Sequence, residues 1–191
     1  EFDSYLNIPT FKNDNTKINK DYSLYVLRII NSKWEYEKIK NKEDSDFYFL
    51  NSDFSNNQNI FVISSDKEMI NIKKKNEIID LNNFTNTSPA YRANLKIKID
   101  GGGFSSYQSE YPFHMTTKNG NVLSPLSTLL NIDADKNFLV FKNIYHKAIN
   151  EKFNIYIINV RSKKIWKKYI GICNQTNIFE INKDVIHYEN F

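Results

Sequence analysis

Cysteine is almost missing from this sequence. Cys173 is the only one in 191 residues, so no intrachain disulfide can brace the fold and no zinc site built on several thiolates can form. A reducing compartment is compatible with that, although a secreted chain can also dispense with disulfides. Glycine and proline are scarce too, at 5 and 4, which excludes collagen-like and Pro/Gly-rich low-complexity chains. No apolar run nears the roughly 20 residues that cross a bilayer as a helix, and no signal-like stretch opens the sequence. It begins Glu1-Phe2 rather than with methionine, which reads as a fragment or a processed end. Those two residues are set aside from fold reasoning. Location stays open, with a cytoplasmic setting favoured.

Abundance lies elsewhere: 28 Asn, 25 Ile and 23 Lys, against 3 Arg. An AT-rich genome produces this skew through its codons, so single asparagines and lysines carry little information. Glycines, prolines and arginines run against the drift and carry more. Aromatic residues at 15% are too frequent for a disordered chain. The net charge of +4 is uneven: residues 1–100 hold 15 basic and 15 acidic side chains, and residues 101–191 hold 11 and 7. That excess is mild for a nucleic-acid-binding domain, so nucleic acid is not expected as a partner.

Short runs rich in Ile, Val, Phe and Tyr at 22–30, 47–50 and 60–63 predict strands. Leu95, Ile97 and Ile99 alternate with Lys96, Lys98 and Asp100, the period of a strand with one wet face. The run 138–141 is continuously apolar and suits a strand covered on both sides. Runs 153–160 and 165–170 flank a hairpin turn at 161–164, and 178–181 is a last strand. Ser65-Asp66-Lys67-Glu68 fits a capping box, and Ser124-Pro125 before 126–130 fits a helix start. Each predicts a helix of a turn or two. The pattern predicts a mainly-β chain, an antiparallel β-sandwich of jelly-roll or immunoglobulin-like type, with one or two short helices. A single domain over 1–191 is expected; a subdivision, if present, falls near 82–89.

The segment from Gly101 to Pro112 stands out because it holds three of the five glycines. Glycine lets a backbone approach a ligand closely. The residues that follow mix hydroxyls, amides and flat aromatic faces, which suit a sugar or another polar ligand. Candidate ligand-binding residues are Gly102, Gly103, Ser105, Tyr107, Gln108, Glu110 and Tyr111. The plainer reading is a hairpin followed by an exposed strand. No phosphate loop is present, since Phe104-Ser105 stands where Lys-Ser/Thr is required.

Other chemistries are weaker. His114 and His146 with Glu110 or Asp133 could assemble a metal site only in space, so no metal or cofactor is expected. Asp133-Ala134-Asp135-Lys136-Asn137 opens like a calcium loop, but Phe138 replaces the required glycine and Ile144 the bidentate Glu. A polar turn is the better reading. The run 161–168 has five basic residues around Trp166 and could contact phosphates, though solvated lysines on a hairpin explain it. Cys173 reads as a small core residue. Asn83, Asn86 and Asn174 head glycosylation-type triplets that chance explains in so Asn-rich a chain.

The expectation is a non-catalytic binding module, contacting carbohydrate or another polar ligand through 101–111. The alternatives are an enzyme using Glu110 and His114, metal-dependent or acid/base, and a structural or protein-interaction domain of a larger protein.

Overall fold

A computed structural model describes residues 2–10, 12–13, 17–42, 45–78, 94–99, 104–108, 130–131, 133–134 and 136–182. Within them the chain is mainly β and every strand pairing is antiparallel.

The organising strand is β4 (Tyr22–Ile30). Leu24, Tyr25, Val26 and Leu27 at its centre are all buried, as a continuous apolar run must be when both faces of a strand are covered. It pairs with β5 (Lys33–Lys38) on one side and β7 (Ile60–Ser65) on the other. Asn31 and Ser32 join β4 to β5 with φ of 51° and 58°. Two central residues at positive φ make a type I′ turn, whose twist suits a hairpin. A second sheet runs in the order β6 (Phe47–Leu50), β1 (Phe2–Pro9), β8 (Asn94–Ile99), β9 (Phe104–Gln108). Phe2 pairs with Ile99 there, so a residue set aside as a terminal remnant belongs to a strand.

Side chains alternate along a strand, so β4 feeds two cores. Leu24 and Val26 pack with Ile8 of β1, Ile39, and Tyr48 and Leu50 of β6. Tyr25 and Leu27 pack instead with Trp34, Ile60, Met69, Ile72, Ile78 and Ala148. The two sheets thus share one core, and α1 (Asp66–Lys75) contributes Met69 and Ile72 to the other. Ten residues make this helix longer than the turn or two expected. Its capping box forms as the sequence predicts: Ser65 Oγ accepts from Glu68 N at 3.3 Å, and Glu68 Oε2 accepts from Ser65 N at 3.2 Å. Lys73, Lys74 and Lys75 sit in the last turn, where cations oppose the helix dipole. Ser65→Ala should cost about 1 kcal/mol of stability; an unchanged urea midpoint would show that the cap contributes nothing.

The later strands form two ribbons. β10 (Lys136–Lys142) pairs with β13 (Thr176–Asn182), and β11 (Lys152–Asn159) pairs with β12 (Lys164–Ile172). Ile157 and Ile181 meet between them, with Leu130, Leu139, Trp166 and Tyr169 around. A short pair, β2 (Lys12–Asn13) and β3 (Lys17–Ile18), stands apart. The run 138–141 is not covered on both sides as expected: Phe138 and Val140 are 58% and 56% exposed, because among the described residues no layer closes the outer face of that ribbon. The sheets stay small and separate, an antiparallel mainly-β architecture coarser than the jelly-roll or immunoglobulin-like sandwich the sequence suggested. The second predicted helix start, Ser124-Pro125, and the 82–89 stretch lie outside the described residues.

Buried amides tie the loops together. Asn174, only 2% exposed, sits in the left-handed region at φ 60°. Its Oδ1 accepts from Tyr145 N at 2.7 Å, and its Nδ2 donates to the carbonyls of Lys147 and Ile149 at 3.0 and 2.9 Å. An amide so occupied is closed to glycosylation in the folded chain. Asn177 bridges Ile172 N, Ile172 O and Gln175 O in the same way. Asn76 ends α1 at φ 55° and accepts from Trp34 N at 2.8 Å. The ribbons are fastened to the earlier sheets by the His146 carbonyl, which accepts from Ile78 N at 2.8 Å and from Trp34 Nε1 at 3.0 Å. Lys142 donates to the carbonyls of Asn57 and Asn59. Burial pulls the pKa of its ammonium down to about 8.

Candidate functional site

The structure brings Phe104–Gln108 of the glycine-led segment to the edge of a sheet as β9. β9 pairs antiparallel with β8 from Lys98↔Phe104 to Asn94↔Gln108, and among the described residues β9 is the end strand of its sheet. Ser105, Tyr107 and Gln108 occupy β9. Along a strand, positions 105 and 107 share one parity and 108 the other. Gly102, Gly103, Glu110 and Tyr111 lie outside the described residues, as does His114.

The His146 ring lies tilted against the Tyr145 ring, with centroids 4.3 Å apart, and its backbone carbonyl accepts from Ile78 N and Trp34 Nε1. Asp133 lies exposed in a polar turn before β10, its N bonded to Asn131 Oδ1 at 3.0 Å. Among the described residues, no three His, Cys, Asp or Glu side chains come together as metal ligands would. Cys173 is buried, and burial raises its thiol above the ordinary value with help from Glu151. That disfavours the thiolate a nucleophile needs.

A cleft that the sequence reading missed lies where the β2–β3 pair, the start of β4 and the stretch after β5 converge. It encloses about 400 Å3. Ile18, Ile39 and the Tyr48 ring give it an apolar floor, and Lys20, Lys38, Lys40 and Lys42 surround it. Tyr22, Ser23, Thr10 and Ser45 add hydroxyls. None of the described lining residues is acidic. Thr10 Oγ1 donates to Asp46 O and Ser45 Oγ to Phe47 O. Lys38 is held by Asp66 at 3.2 Å. Asp66 in turn accepts from Tyr25 Oη at 2.6 Å, which together with Lys38 holds its carboxyl below the usual range. Burial, then this bond, pushes the Tyr25 hydroxyl well above its ordinary value. Lys20, Lys40 and Lys42 are exposed. Alternation of Lys38, Lys40 and Lys42 along the chain was the available signal, but lysine is too common here to stand out.

The chain matches no family model, no curated protein and no solved structure. No helix among the described residues is long and apolar enough to cross a membrane.

Proposed function

We propose that the chain is a non-catalytic binding module, with its two larger sheets packed as a β-sandwich, and that its ligand is a polar, carbohydrate-like molecule bearing negative charge. The observation that carries this reading is the cleft: an apolar floor against which a sugar ring can lie, hydroxyl-bearing walls, and the exposed lysines Lys20, Lys40 and Lys42 beside the Asp66-paired Lys38, with no acidic residue among the described lining. A glycoside-cleaving site needs a pair of carboxyl groups flanking the bond, which the described lining residues do not supply. Lysine ammonium groups donate well to carboxylate, sulfate or phosphate groups. The segment 101–111 is a second contact surface in this proposal, on the strength of its residue types. A protein-interaction role draws on β9, which among the described residues is the end strand of its sheet, the kind of edge that accepts an added strand.

Calorimetric titration with neutral and acidic oligosaccharides tests the reading. Acidic sugars should bind, and Lys40→Glu with Lys42→Glu should weaken them at least about tenfold, the worth of one charge-assisted hydrogen bond. Tyr107→Ala with Gln108→Ala reports separately on the β9 surface. Binding of neither sugar, or binding indifferent to the lysine pair, would remove the cleft from the proposal.

A further inference from the structure

The hairpin of β11 and β12 is not used by the cleft or by β9, and it carries an unusual combination. Between Lys152 and Phe179 the sequence has six cations and no Asp or Glu. Arg161, Lys163, Lys164, Lys167 and Lys168 are all exposed. Apolar side chains are exposed among them: Val160 at the turn is 74% accessible, Ile165 59% and Ile158 45%. Ile158 and Ile165 are cross-strand partners, so they form one patch beside the tip. Further along, Tyr156 faces Lys168, whose ammonium lies 5.8 Å from the ring centre. The other side of the ribbon is occupied, with Ile157, Trp166 and Tyr169 in the core shared with β10 and β13. The exposed aliphatics are therefore not a core turned outward by error; the ribbon has an inner face already.

From this we infer that the β11–β12 tip docks on an anionic lipid bilayer surface, with Val160, Ile158 and Ile165 entering the interface and the surrounding lysines and arginine contacting lipid headgroups. Charge complementarity selects this occupant. A second copy of the chain would oppose its own cations. A nucleic acid would satisfy the cations but leave the aliphatic patch in water, and Trp166, the side chain suited to stacking on a base, is turned inward. A bilayer meets both demands, since apolar insertion adds to headgroup attraction. Such docking is peripheral and involves no membrane-spanning segment.

Flotation with vesicles of phosphatidylcholine alone, and with roughly one-third phosphatidylserine, tests the inference on the full chain. Binding is expected only to the anionic vesicles and should fall as salt screens the headgroups. Lys163→Gln with Lys164→Gln should weaken it about 30-fold, at the usual worth of a basic residue near such a surface. Val160→Ser with Ile165→Ser keeps every charge and should weaken it about tenfold through lost insertion. All four positions are exposed, and circular dichroism checks that each variant is folded. No binding to anionic vesicles overturns the proposal. Wild-type binding by the serine variant also overturns it, because attraction is then purely electrostatic; duplex DNA retarded in a gel equally by wild type and the serine variant would identify the surface as a polyanion site instead.

Discussion

Trp34→Ala should lower stability by about 3–5 kcal/mol, the usual cost of deleting a fully buried tryptophan. Trp34 is 1% exposed and packs with Tyr25, Leu27, Met69 and Ile72, so the deletion leaves a cavity where β4, β5 and α1 meet. It also removes the indole bond to the His146 carbonyl, one of the ties between the ribbons and the first sheets. Trp34→Phe separates the two contributions. It keeps most of the packing, and the carbonyl still accepts from Ile78 N, so its cost should be nearer 1 kcal/mol. Urea unfolding measures both. A typical slope of about 1–3 kcal/mol per molar converts the alanine loss into a midpoint shift of about 1 M or more. Equal midpoints for wild type and the alanine variant would mean that this core is not the one that holds the chain.

The second large effect is expected at Asn174. Asn174→Ala leaves Tyr145 N and the Ile149 carbonyl without their partner, while the Lys147 carbonyl keeps Ile149 N. Two orphaned buried groups cost about 2–6 kcal/mol together. Asn174→Asp is nearly the same shape and should be no better at neutral pH. One carboxylate oxygen can still accept from Tyr145 N, but the other then faces two carbonyl oxygens. Protonation restores a donor, so the folded-state pKa of that Asp is raised above its unfolded value. Its deficit relative to wild type should therefore shrink as pH falls toward about 4, where the unfolded form also protonates. Thermal melts of the two variants across that range distinguish them: the alanine deficit stays flat and the aspartate deficit narrows. Parallel curves would contradict the bonding described for this side chain.

Much of the secondary structure is legible without coordinates, for reasons local to the chain. The bounds of β4 and β6 follow from runs of β-branched and aromatic residues, and α1 begins where Ser65 and Glu68 can cap each other. The β11–β12 hairpin follows from two apolar runs around a basic turn. β5 escaped notice because Lys33, Glu35, Glu37 and Lys38 mask the alternation of Trp34 with Tyr36, and because Asn31-Ser32 lacks the glycine that usually announces a type I′ turn. Of the site predicted at 101–111, the sequence offered a strand after the glycines without bounds; the structure gives it as Phe104–Gln108, and pairing with β8 makes it a sheet edge among the described residues.

Three things belonged to the tertiary structure. Two apolar runs of similar composition, 24–27 and 138–141, met opposite fates: the first is enclosed because layers lie on both sides of its sheet, and the second faces outward on a two-stranded ribbon. The asparagines, discounted as compositional drift, became structural at Asn76, Asn174 and Asn177, where the chain turns and buried backbone groups need partners from a distance. The lysine cleft exists only because β2–β3, β4 and the stretch after β5 converge. Periodicity and capping are written into neighbouring residues, so the sequence by itself determined a mainly-β chain and most of its strands. Enclosure, exposure and convergence depend on which segments meet, and that is decided by packing across the whole chain.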